Sequence, residues 1–161
     1  MSRSTAVLVG ALALMLGCQT AYNNAYDAET QRLEAERSAQ NAQASAAHAE
    51  AARYAAVVYF QTGSAQLGAE ATRQLDWFVE KMTPYPQTTF DVQGFADSTG
   101  AEGTNQKLSD QRAQAVSSYL QSKGIASGRI YAAAFSTSSP AATNATAAGR
   151  KDNRRVEITV R

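Results

Sequence analysis

GFADSTGAEGTNQKLSDQRAQAV, residues 94–116, carries a strand end, a glycine-punctuated loop and a helix in succession. Gly94 closes a short alternating run, TFDVQ at 89–93, in which Phe90 and Val92 fall on one side, as a half-buried strand requires. A polar, glycine-punctuated loop follows to Gly103. Beyond it Leu108, Ala115, Val116, Tyr119 and Leu120 share one face of a helix. Gly124 ends that helix, with Ile125 placed for the hydrophobic contact that accompanies a glycine cap. Arg112 comes four residues after Leu108 and three before Ala115, so it lies on the apolar stripe. An inward-pointing arginine asks for an anionic partner, because a buried unpaired charge is expensive. Its planar fork suits a carboxylate. Asp97 sits in the loop just upstream, where backbone N–H groups also become available.

Upstream, AVVYF at 56–60 reads as a buried strand closed by Gly63. Leu67, Ala71, Leu75, Phe78, Val79 and Met82 recur at helical spacing, and Pro84 and Pro86 stop that helix. Arg129–Phe135 is a third strand. Val156, Ile158 and Val160 alternate with Glu157 and Thr159 in a fourth. The order strand, helix, strand, helix, strand, strand predicts an α+β sandwich of helices on a small sheet, with residues 55–161 as one domain.

Before that domain the character changes. Residues 19–62 contain neither glycine nor proline and are rich in alanine, glutamine, glutamate and arginine, all good helix formers. Ala25, Ala28, Ala35, Ala39, Ala42, Ala46, Ala49 and Ala56, completed by Arg32 and Arg53, form a seam with 4-3 spacing. Glu29 with Arg32, Arg32 with Glu36, Glu34 with Arg37 and Glu50 with Arg53 stand at helical neighbour distances. Two readings follow: an oligomerising seam or a solvated spacer. Alanine supplies little hydrophobic drive, which favours the spacer, over residues 18–54. About 35 residues at 1.5 Å rise span about 50 Å.

Residues 1–17 read as a secretory signal: Arg3, then the apolar run AVLVGALALML at 6–16, then Gly17. The run is shorter than the roughly 20 residues needed to span a bilayer. Leu14–Cys18 resembles a bacterial lipobox, with Met15 a departure from the usual Leu, Val or Ile. That resemblance implies thioether-linked diacylglycerol on Cys18, cleavage before it, and acylation of the new amine, palmitate-type chains forming a durable anchor. Gln19 rather than an aspartate after the cysteine implies sorting to the outer membrane.

Composition removes several alternatives. The formal net charge is +1, so no global field recruits nucleic acid, and the basic cluster Arg150, Lys151, Arg154, Arg155 has no interleaved aromatics. One cysteine excludes an intramolecular disulfide and a cysteine zinc cluster. The single histidine, His48, stands alone in the spacer, so no metal site and no Ser-His or Cys-His nucleophile is expected in the domain. No cofactor is expected, and the chain reads as a non-enzyme.

The stretch 94–116, together with VYF at 58–60, GSAQL at 63–67, GI at 124–125, RI at 129–130 and GRKDNRRVEI at 149–158, resembles the OmpA C-terminal domain shared with peptidoglycan-associated lipoproteins. The resemblance implies a β-α-β-α-β-β domain that binds the diaminopimelate stem of peptidoglycan. Asp97 is then the partner of the ligand ammonium and Arg112 that of its carboxylate. Asn105 and Leu108 frame the pocket, and Arg154 or Arg155 lines it. The implied role is an outer-membrane lipoprotein, facing the periplasm, that tethers that membrane to the cell wall. The alternative is an envelope adaptor that binds a protein partner through the helix or the domain. From the residues alone, a simple Asp97–Arg112 brace of the loop stays open. The sequence departs from the family pattern at Phe95-Ala96, where His-Thr is usual, at Thr104 for tyrosine, and at Ala134 and Ser136 for glycines.

Overall fold

A computed structural model describes residues 19–161; the signal stretch 1–17 and the expected lipidation site Cys18 lie outside the described residues. The chain divides into two compact units, Met1–Ser45 and Ala46–Arg161. The described residues of the first belong to helix α1, whose bounds are Arg3–Ala51. From Gln19 to Ser45 every residue is exposed except the half-buried Thr30. Helicity here rests on alanine's propensity and not on a buried stripe. Arg32 bridges Glu29 at 3.7 Å and Glu36 at 3.3 Å, contacts worth a few tenths of a kcal/mol each at such exposure. Among the described residues no helix is long and apolar enough to cross a membrane.

The second unit takes in the last turns of α1, which the alanine pattern alone assigns to the spacer. Ala51 is fully buried within its core. Tyr54, on the one-turn helix Ala52–Tyr54, packs edge-on against Trp77 at 6.1 Å. Four strands follow: β1 (Ala56–Tyr59), β2 (Phe90–Gly94), β3 (Ile130–Ala134) and β4 (Arg155–Val160). They form one sheet in the order β1-β4-β2-β3. β4 runs antiparallel to both its neighbours, and β2 and β3 are parallel. Helix α2 (Ala69–Met82) follows β1, and α3 (Glu102–Ser122) makes the crossover that a parallel β2–β3 pair demands.

Strand alternation sorts the side chains. Val58, Phe90, Val92, Val156 and Ile158 point to one face and are buried with Leu75 and Phe78 of α2 and Val116 and Leu120 of α3. Phe78 meets Phe90 edge-on at 5.2 Å. Each such fully buried side chain contributes about 1.5–3 kcal/mol. On the other face Val57, Tyr59 and Tyr131 are exposed. At the end of α3 Gly124 has φ +97°, and the Ile125 N–H reaches the Leu120 carbonyl at 3.1 Å. This is the glycine cap the sequence predicts, with Ile125 buried behind it.

No sequence pattern marks α4 (Ala147–Asn153). Its seven residues show no apolar period. It is held instead by its N-cap, the Thr146 hydroxyl accepting from the Gly149 N–H at 3.0 Å. At its other end Asn153 exchanges hydrogen bonds with the Ala142 backbone at 3.0 and 2.8 Å. α4 delivers Arg154 to the start of β4. The third strand is one residue shorter at each end than the predicted 129–135, because Arg129 closes a one-turn helix, Ser127–Arg129. The Arg129 side chain donates to the Thr88 and Tyr85 carbonyls.

Candidate functional site

Where β2 ends and α3 begins, the loop after Gly94 lies against the turn that follows β1. Gly94 permits this approach: a Cβ there would stand 2.1 Å from the Ser109 carbonyl oxygen of α3. The result is a cleft of about 150 Å³ lined by Thr62 and Gly63 on one wall and by Asp97, Asn105, Leu108, Arg112 and Arg154 among its other residues. Five of the six ligand residues expected from sequence therefore meet in one place. Arg155 does not. As the first residue of β4 it points away from Arg154, with its guanidinium carbon 4.0 Å over the Phe95 ring and Nε donating to Glu157 at 2.6 Å.

Arg112 is fully buried. Its partners correct the sequence argument, which asked for an anion. Nε donates to the Ser64 carbonyl at 2.9 Å, Nη1 to the Phe95 carbonyl at 2.9 Å, and Nη2 to the Gln61 carbonyl at 3.2 Å. Its carbon lies 5.3 Å over the Phe60 ring. Three carbonyl dipoles satisfy a guanidinium without neutralising it, and these bonds use three of its five N–H groups. Burial pushes its pKa down to about 10; Asp97 counters that and Arg154 adds to it. The side chain stays charged at any physiological pH.

Asp97 does not pair with Arg112 in a simple brace. Its Oδ2 accepts from Arg154 Nη1 at 2.9 Å and its Oδ1 from the Thr99 N–H at 2.8 Å. Burial pushes its carboxyl up, but the Arg154 and Thr99 hydrogen bonds and the Arg154 charge outweigh that and hold it below the usual carboxylate range. A carboxylate offers about four lone-pair sites, so two stay open. Arg154 is itself braced, Nε donating to the Phe60 carbonyl at 3.1 Å. The Asn105 side chain is buried and makes no hydrogen bond among the described residues, which leaves an amide donor and acceptor at the cleft. One carboxylate, two guanidiniums and a free amide around so small a space suit a compact zwitterion with a carboxylate and an ammonium. Among the described residues no cluster of His, Cys, Asp and Glu is arranged to hold a metal.

Two of the family departures have a visible place in the fold. Phe95 is buried in a stack with Phe135, centroids 5.5 Å apart, on the sheet face away from the cleft. Its carbonyl, not its side chain, serves Arg112. Ser136, at a position where the family expects glycine, has φ +50°, the left-handed region glycine tolerates best. The walls Thr62 and Gly63 were not picked out as site residues in the sequence; only the match of GSAQL to the family pointed near them.

The described geometry has counterparts in known proteins. The model of the OmpA family matches residues 59–154. A probable lipoprotein, YiaD of Escherichia coli (strain K12), is 39% identical over 103 residues, 64% of this chain and 47% of that protein. Peptidoglycan-binding protein ArfA of Mycobacterium tuberculosis is 41% identical over 86 residues, 53% of this chain and 26% of that protein. The chain thus spans about half or less of the length of these curated relatives. Among solved structures, the peptidoglycan-associated lipoprotein from Burkholderia pseudomallei superposes with a TM-score of 0.63 at 24% identity, covering 66% of this chain and 90% of that one. At that identity the likeness establishes the fold.

Proposed function

The chain belongs to the OmpA family, and from that premise we propose that it is a lipid-anchored protein of the outer membrane that holds the peptidoglycan wall non-covalently through the diaminopimelate of a stem peptide. The observation that carries this reading is the cleft itself, where the Asp97 carboxylate, with acceptor sites open, and the Arg112 guanidinium, held by carbonyls and not neutralised, line one space of amino-acid size. Asp97 takes the ligand ammonium, Arg112 its carboxylate, Asn105 adds an amide contact, Leu108 supplies apolar wall, and Arg154 holds Asp97 in place. Cys18 carries the lipid, and residues from Gln19 to the domain serve as spacer. The role is binding rather than catalysis.

The test is co-sedimentation of the full chain with purified sacculi, alongside titration with meso-diaminopimelate followed residue by residue by NMR. Asp97→Asn is expected to lower affinity at least tenfold, the size of one buried charged contact. Arg112→Ala is a poor probe, since it strands three carbonyls and loosens the fold. Full retention by Asp97→Asn and Asn105→Ala together would reject the site.

A second reading, an envelope adaptor with a protein partner, has one observation in its favour. Tyr22, Tyr26 and Leu33 of α1 are spaced by four and seven residues, so they share a helix face, and all three are exposed. Cross-linking that yields a discrete hetero-complex, lost on deleting residues 22–45, would support it. Both roles are compatible in one chain.

A further inference from the structure

The basic cluster before β4 is only partly used by the cleft. Arg150 holds the Asn144 carbonyl, Arg154 holds Asp97 and Arg155 holds Glu157. Lys151 is left over. It is exposed, and its ammonium has no hydrogen-bond or ion-pair partner among the described residues. It lines a groove of about 390 Å³ that runs along the edge strand from Val57 to Gln61, with Gln74 of α2 opposite and Arg154 at one end. The acid in this groove, Glu70, is already bonded to Arg73, so the groove keeps a positive balance.

Groove and cleft are neighbours in two ways. Arg154 lines both. Gln61, on the groove wall, gives its carbonyl to Arg112 in the cleft. The cleft's volume matches the amino-acid end of a diamino acid and not the peptide that bears it. That peptide has to leave through the mouth of the cleft, and the groove lies on the other side of Arg154. In a murein stem the residue joined to the diamino acid is a γ-linked glutamate, whose α-carboxylate is free.

We propose that the groove beside β1 is a second subsite for the same wall ligand, taking the carboxylate-bearing peptide next to the diamino acid, with Lys151 as its anion partner. This rests on the reading of the cleft given above. The exposed ring of Tyr59 and the amides of Gln61 and Gln74 have the chemistry to meet a sugar as well. The unpaired ammonium decides between them, because neutral hydroxyls would leave its charge uncompensated while a carboxylate completes it.

The experiment is calorimetric titration of the full chain with three probes: free meso-diaminopimelate, the tripeptide L-alanyl-γ-D-glutamyl-meso-diaminopimelate, and that tripeptide with the glutamate α-carboxylate amidated. The tripeptide is expected to bind about tenfold tighter than the free amino acid, one charge-assisted contact being worth that much at a half-open site. The amidated form loses most of the gain. Lys151→Gln, an exposed position where folding is not at risk, lowers tripeptide affinity about fivefold and leaves free diaminopimelate unchanged. Equal affinity of the amidated and acidic tripeptides, or no effect of Lys151→Gln on the tripeptide, overturns the subsite. A gain that appears only when the disaccharide is attached to the stem overturns it in favour of a sugar site. If free diaminopimelate itself fails to bind, the cleft reading falls and takes the groove with it. If free diaminopimelate binds and the tripeptide gains nothing, the groove alone falls.

Discussion

The Asp97 carboxyl is pulled in two directions, and the balance has a pH signature. Burial raises its pKa, while hydrogen bonds from Arg154 and Thr99 and the Arg154 charge lower it further than burial lifts it. A carboxyl whose folded pKa lies below the unfolded value contributes stability that is fully present above the unfolded value, about 3.9, and is lost as pH falls through the folded one. Once Asp97 is protonated, Arg112 and Arg154 face each other without a counter-charge. In Arg154→Gln the lowering partner is gone and burial remains, so the Asp97 pKa rises. Thermal unfolding followed from pH 7 to pH 2 is expected to show a wild-type curve that is flat down to about pH 4 and then falls, while the variant, already less stable at neutral pH, loses less over the same acid limb because its buried carboxyl gains by protonation. At neutral pH the variant loses about 2 kcal/mol, because both partners are almost wholly out of water and the remaining charge is left buried. Superimposable acid limbs would contradict this account. The choice between Arg154 and Arg155 was beyond the sequence for the same local reason: adjacent residues at a strand's start point opposite ways, and the NRR motif does not mark where β4 begins. The carbonyl cage of Arg112 was illegible too, since every residue has a carbonyl and only the fold brings two from the turn after β1, Gln61 and Ser64, and one from just past the end of β2, Phe95, to one guanidinium.

At the scale of elements, the site depends on how closely β2 approaches α3. Gly94 faces the helix backbone at Ser109, and a methyl added to it would also stand 3.2 Å from the Ala113 side chain one turn further on. Gly94→Ala therefore cannot be absorbed by a side-chain swing; strand and helix must separate. Overpacking of this kind costs about 2–4 kcal/mol and lowers the unfolding midpoint by roughly 10 °C or more. Binding should suffer as well at temperatures where the variant is still folded, because Asp97 is carried by the strand side of the contact and Arg112 by the helix side. Calorimetric unfolding and diaminopimelate titration at about 15 °C, near the usual maximum of stability, measure the two effects; a variant with wild-type midpoint and affinity would show that the approach is not a constraint. β2, β4, α2 and α3 were legible because each has a period: two in TFDVQ and VEITV, 3.6 in the runs ending at Met82 and Leu120; β1 was legible only as an apolar run, of which the fold buries alternate residues. α4 has no period. Its stability is tertiary, from the Asn153 bonds to Ala142 and the Thr146 cap, and a seven-residue polar helix with an internal glycine carries no pattern to read.

For the whole molecule, the question is where the spacer stops and the folded domain starts. Residues 19–45 contribute solvent-exposed helix, whereas Ala51 lies in the core of the second unit and Tyr54 packs on Trp77 and Tyr85. A chain shortened to residues 46–161 is therefore expected to unfold within about 2 °C of the full chain, since exposed positions contribute little beyond about half a kcal/mol. Shortening further, to residues 55–161, removes a fully buried methyl, worth about 1 kcal/mol, and two ring contacts, worth about 1 kcal/mol together. The midpoint should then drop by about 10 °C. Equal midpoints for the two shortened chains would put the boundary where the alanine pattern alone puts it, after Tyr54. Both chains keep the whole cleft, whose first residue is Thr62, so the 46–161 chain should bind diaminopimelate with unchanged affinity. If instead affinity fell along with the first 45 residues, the helix would have a part in recognition and could not be a spacer alone.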